Sequence, residues 1–126
     1  MIGGLLAVGI GATLGAWMRW GLSAWRNARA PDFPLGTLAS NLVGGYLIGL
    51  AVAYFAARHD IAPEFRLFVI TGFLGGLTTF STFSSEVTQL LLRGEYAAGG
   101  GLALAHVAGS LLLTIAGLAT FRTLAA

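Results

Sequence analysis

Four long stretches, residues 2–25, 35–57, 65–92 and 97–124, are almost free of charge. About 20 mostly apolar residues suffice to carry a helix across the hydrocarbon core of a bilayer. No water reaches that core, so backbone groups there must bond within their own segment, which makes each stretch helical. The connections RNARAPDFP, ARHDIAPE and RGEY hold most of the charges and all three prolines. They leave no room for a soluble domain. The pattern predicts an all-α integral membrane protein: one domain, residues 1–126, with four transmembrane helices.

Composition agrees. Only 10% of the 126 residues are charged, against about a quarter in a soluble domain. The net charge of +2 rests on seven arginines with no basic cluster, so no nucleic-acid partner is expected. Cysteine is absent, which excludes disulfides and thiol chemistry. Gly9-x-Gly11-x-x-x-Gly15 imitates a nucleotide loop but follows no strand. His59 and His106 are too isolated to build a metal site. An enzyme is not expected.

Nineteen glycines would weaken helices in water, but in membranes small residues let backbones approach. Gly11-x-x-x-Gly15, Gly45-x-x-x-Gly49 and Gly72-x-x-x-Gly76 all fit that packing pattern. Orientation is less determined. Arg58, Arg66 and Arg122 fall on one side, Arg26, Arg29 and Arg93 on the other, with Arg19 deeper in the same half. Arginine bias normally sets topology, and here there is almost none. Both orientations are therefore expected, pairing antiparallel as an inverted repeat made from separate subunits.

Residues 75–86, GGLTTFSTFSSE, interrupt an otherwise oily third span. Each glycine costs a helix about 1 kcal/mol relative to alanine, and the threonine hydroxyls compete for backbone partners. The third helix is expected to break mid-membrane near residues 75–79, and the freed carbonyls must then face protein, water or an ion. A glycine-lined crossing without an ion is the alternative. Phe80, Phe83, Ser84 and Val87 share one face, with Ser81, Thr82, Ser85, Glu86 and Gln89 opposite. An aromatic edge is electropositive and attracts an anion without trapping it.

In the fourth span His106, Ser110 and Thr114 fall at i, i+4 and i+8; in the second, Thr37 and Asn41 are one turn apart. The alternative role for such groups is interhelical glue. Arg19 and Glu86 are ionisable groups away from the loops, expected to snorkel to an interface. Asn41, Phe80, Phe83, Ser81, Thr82, Ser110 and Thr114 make a set of donors and aromatic edges. Such a path suits a small, strongly hydrated anion.

GATLGAWMRW, GTLASNLVGGYLIG and GFLGGLTTFSTFSSE together resemble the Fluc-type (CrcB) fluoride channels of bacteria, over essentially the whole chain. The resemblance implies a dual-topology antiparallel homodimer in the cytoplasmic (inner) membrane, with two fluoride pores and a central structural sodium ion (Na+). By motif position it assigns the sodium to the backbone carbonyls of Gly75 and Thr78, and the stacked phenylalanines to Phe80 and Phe83. Asn41 matches the pore asparagine, Ser81, Thr82, Ser110 and Thr114 the polar track, and Arg19 the vestibule arginine. The implied function is passive export of cytoplasmic fluoride.

A small multidrug transporter shares the four spans but needs a membrane-embedded carboxylate to exchange protons. The first span has none, and Glu86 sits toward the end of its span. A non-transporting scaffold is the other class, its hydroxyls serving as glue.

Overall fold

The computed structural model describes residues 1–29 and 34–126. Four helical spans run the length of the chain: α1 (Ile2–Arg29), α2 (Leu35–Ala57), a composite third span (Pro63–Leu92) and a final helix (Tyr96–Ala125). The third span consists of α3 (Pro63–Arg66), a π-helical segment (Leu67–Leu74), α4 (Gly75–Leu77) and α5 (Phe80–Leu92). The final helix is α6. The connection expected at residues 26–34 is described only at its ends, since residues 30–33 lie outside the described set.

Span ends follow local chemistry. α1 continues past Trp25 because the Arg29 guanidinium bonds back to the Trp25 carbonyl at 3.1 Å and lies 4.7 Å from its ring. Asn27 in α1 accepts from the Gly36 amide at 3.2 Å, capping the first turn of α2 from a neighbouring helix. Pro63 opens α3 at a position where its missing N–H costs nothing.

The four spans pack as two glycine-mediated pairs. In the first, α1 crosses the third span. A Cβ built on Gly11 or Gly15 would strike the backbone of Phe73, and one built on Gly76 would strike Ala12 and Ala16. In the second, α2 crosses α6. There Gly45 and Gly49 meet the backbone of Ser110 and Thr114, and Gly117 meets Tyr46 and Leu50. All three spaced glycine pairs thus sit at crossings where only hydrogen fits. Between the pairs lies a small core of Ala51, Phe55, Leu74 and Leu77.

Outside the crossings the molecule is oily. Leu5, Leu6, Leu104, Leu111, Leu112 and Ile115 are all exposed, and no more than 39% of any span's most apolar window is buried. A soluble monomer rarely shows contiguous apolar surface on this scale. The chain is a multi-pass membrane protein.

Candidate functional site: the groove at the third-span interruption

Between α4 and α5 the backbone is extended at two residues, Thr78 (φ −93°, ψ 153°) and Thr79 (φ −150°, ψ 125°). The threonines close both ends. The Thr78 amide and hydroxyl both donate to the Leu74 carbonyl, at 3.0 and 2.8 Å. The Thr79 hydroxyl accepts from the Thr82 amide at 3.3 Å, capping α5.

Distant side chains take up the remaining backbone groups. Arg19 Nε donates to the Gly76 carbonyl at 3.0 Å. Asn41 grips Thr79 from both sides: its Oδ1 accepts the Thr79 amide at 2.8 Å, and its Nδ2 donates to the Thr79 carbonyl at 2.9 Å. Nδ2 also lies 3.1 Å from His106 Nδ1.

Thr37 of α2 is equally engaged: it donates to Glu86 Oε1 at 2.6 Å, while Oε2 is buried without a partner among the described residues. Snorkelling was the expected role for Arg19 and Glu86. Both instead bond inward to another span, because an unpaired carbonyl or hydroxyl is costlier inside the protein than a short charged contact.

Around the interruption opens a groove of about 520 Å³ between α2, the third span and α6. Asn41, Gly75, Thr78, Phe80, Phe83, Ser110 and Thr114 all line it. Ser81 and Thr82 do not; they join through the Thr79 hydroxyl, at 3.2 and 3.4 Å. Arg19 stands outside the groove and reaches the interruption only through Gly76. Phe80 and Phe83 meet edge to face, centroids 5.4 Å apart with ring planes at 77°. Phe83 is buried, whereas Phe80 is 77% exposed, presenting its ring outward from the single chain. Thr114 gives its hydroxyl hydrogen to the carbonyls of Gly45 and Ser110, both at 2.9 Å.

Sodium would need hard oxygen ligands. Among the described residues no three His, Cys, Asp or Glu side chains converge to hold a metal, so carbonyls are the chemistry on offer. A Cβ on Gly75 would meet nothing nearer than the Ile70 carbonyl at 3.8 Å, which leaves open space beside the peptide. Gly75 and Thr78 both line the groove. An ion here would be held by the backbone carbonyls of Gly75 and Thr78, beside that open space.

Sequence reasoning gave no role to His106, which is 3% exposed and stacks on Phe83 with centroids 4.3 Å apart. The signal was its register with Ser110 and Thr114. Thr79 was seen as a helix breaker but not as the residue that Asn41 clamps.

Comparison with known proteins identifies the family of the chain. The family described as CrcB-like protein, Camphor Resistance (CrcB), matches residues 6–118. The protein named Fluoride-specific ion channel FluC from Cupriavidus taiwanensis is 59% identical over 122 residues, covering 97% of each chain. The proteins of that name from Pseudomonas putida and Thiobacillus denitrificans are 57% and 60% identical, covering 96% and 86% of this chain and 95% and 88% of theirs. With a match spanning nearly its whole length, the chain belongs to the CrcB family.

Proposed function

We propose that this protein is a fluoride-selective passive channel that lets cytoplasmic fluoride leave down its electrochemical gradient. The observation that carries the reading is the Phe80–Phe83 edge-to-face pair set on the wall of a groove with polar lining from Asn41, Thr79 and Ser110. The naming of the relatives as fluoride-specific channels supports the choice of ion. Fluoride gives up more hydration than chloride on entering a narrow path. Hydroxyl groups repay that at close range, while ring edges attract the ion without holding it.

The working unit is an antiparallel homodimer of chains inserted in both orientations in the inner membrane. Near-equal arginine numbers on the two sides support dual topology, and the 77% exposure of Phe80 supports a path completed by a second chain. In such a dimer the Gly75 and Thr78 carbonyls of both subunits would approach the two-fold axis. Those carbonyls would hold a structural sodium, which would supply charge to offset their dipoles.

The test is flux from liposomes containing purified protein. Selective, electrogenic fluoride efflux with negligible chloride efflux is expected. Proton-coupled drug flux, or none, overturns the reading. Phe80→Ile and Phe83→Ile keep apolar bulk but remove the ring quadrupole, and each should cut fluoride flux roughly tenfold or more with the oligomer intact. Replacing sodium by a large organic cation during purification should loosen the dimer; an unchanged dimer removes the ion from the proposal.

A further inference from the structure

Hydrogens on an amide and an imidazole are usually assigned by plausibility, but here the backbone assigns them. The Thr79 amide can only donate, so the Asn41 atom 2.8 Å from it is the oxygen. The other terminal atom is therefore the NH2 group, and it faces two atoms: the Thr79 carbonyl at 2.9 Å and His106 Nδ1 at 3.1 Å. An NH2 group has two hydrogens and accepts nothing. His106 Nδ1 must then be the acceptor, and the ring is neutral with its hydrogen on Nε2.

We propose that His106 is a positioning residue of the ion path. Its Nδ1 takes the second amide hydrogen of Asn41 and locks that side chain across the Thr79 peptide, which fixes the first turn of α5 and with it Phe80 and Phe83.

Three features of the site support this role over plain packing. The ring is held from its face by Phe83, with centroids 4.3 Å apart. It is 3% exposed, so water does not compete for Nδ1. Its Nε2 is buried without a partner among the described residues. A residue kept for bulk alone would be better served by an apolar ring of the same shape, which leaves no orphaned donor. The link spans three elements: α6 holds α2, and α2 holds the extended peptide between α4 and α5. Asn41 without His106 retains two bonds to Thr79, yet its amide is free to rotate away as a unit.

The proposal rests on the channel reading for its functional part only, and its chemical part is tested without flux. In protein labelled with 15N at the imidazoles, with His59→Asn removing the other histidine, nitrogen spectra report each ring atom. The expected result is a protonated Nε2 and a bare, hydrogen-bonded Nδ1, whose resonance shifts when Asn41 is changed to Ala. A protonated Nδ1, or a resonance indifferent to Asn41→Ala, overturns the lock even if the protein conducts well.

For flux, His106→Phe keeps the ring against Phe83 and deletes the acceptor, whereas His106→Asn carries an oxygen near the place of Nδ1. Fluoride flux should fall about tenfold in His106→Phe and return to within about threefold of wild type in His106→Asn, the scale of one buried hydrogen bond. Adding His106→Phe to Asn41→Ala should cost little more than Asn41→Ala alone, because the two act as one unit. Equal losses in the two His106 variants, or additive losses in the double variant, overturn the positioning role. Wild-type protein that carries no fluoride would sink the channel reading and leave the nitrogen result standing.

Discussion

The two arms of the third span are held in place by different means. The first arm, from Pro63 to Leu77, lies on α1 mainly through Gly72 and Gly76, where backbone touches backbone, with the Arg19 side chain adding one bond to the Gly76 carbonyl. The second, α5, is positioned by side chains of α2: Asn41 on Thr79 at its start and Thr37 on Glu86 at its middle. Steric contacts between main chains fail all at once when a methyl group is inserted. Hydrogen bonds from side chains can be removed one at a time while the fold persists. The difference separates what assembles the protein from what tunes its path.

The largest effect should come from breaking the first arm. Gly76→Val places a branched side chain where even a Cβ lies 3.0 Å from the Ala16 amide and closer still to the Ala12 carbonyl. Overpacking costs about 1–3 kcal/mol where neighbours can shift, and more where they are main chain. Gly15→Leu makes the same clash from the α1 side, against the Phe73 carbonyl and the Leu77 amide. Both variants should lose the monodisperse peak on size-exclusion chromatography in detergent. Gly75→Ala, whose Cβ has open space within the chain, should leave the protein folded. Similar behaviour of Gly75→Ala and Gly76→Val would erase the distinction.

Next in size is Asn41→Leu. It strips the Thr79 amide and carbonyl of their partners at once, at about 1–3 kcal/mol for each buried group left unpaired. The arm should lose its register without losing its fold. Fluoride efflux should drop by at least about tenfold while the elution volume stays that of wild type. Asn41→Asp retains an acceptor for the Thr79 amide and loses both donors, so it should also fail, which assigns the role to the donated bonds. Wild-type flux in either variant would mean that α5 is positioned by packing after all.

These two outcomes bear on how much of the molecule its sequence discloses. The spans were legible to within a few residues because hydropathy acts along the chain, and the spaced glycines because a helical repeat puts both on one face. The groove's lining was legible as residue types: Asn41, Phe80, Phe83, Ser110 and Thr114 all reach it. The partners were not. Asn41 meets Thr79 across 38 positions, Arg19 meets Gly76 across 57, and Asn41 meets His106 across 65. Periodicity fixes which face a residue occupies, not which neighbour lies opposite, so a snorkelling arginine and a carbonyl-binding one read alike. His106 shows the same limit: its stripe was visible, but its role depends on a tautomer that only the Thr79 amide defines.

A smaller effect is expected from Thr37→Val. The Thr37 side chain is 4% exposed, and its 2.6 Å bond is the one that Glu86 makes. Valine keeps the volume and leaves the carboxyl group without that donor. Thermal unfolding in detergent should register a loss of about 1–3 kcal/mol, with flux reduced less than by Asn41→Leu. Unchanged stability would place the Thr37–Glu86 bond outside the set that positions α5.

The smallest effect should be that of Thr114→Val, and it divides two roles that sequence alone cannot separate. Thr114 was expected among the pore donors, and it does line the groove. Its single hydroxyl hydrogen, however, is shared between the Gly45 and Ser110 carbonyls, which is the geometry of glue between α2 and α6. Hydrogen bonds of that kind in membrane helices average about 0.6 kcal/mol. Gly45 and Gly49 already bring the two backbones into contact, so the crossing should survive the loss. Valine fills the same space as threonine, and no cavity opens. Thr114→Val should therefore lower thermal stability by well under about 1 kcal/mol and change fluoride flux by less than about twofold. Ser110 enters this pair only through its backbone carbonyl, which leaves its hydroxyl available to the groove. Ser110→Ala should consequently reduce flux more than Thr114→Val while disturbing stability no more. The reverse order would make Thr114 a donor to the ion and Ser110 the glue.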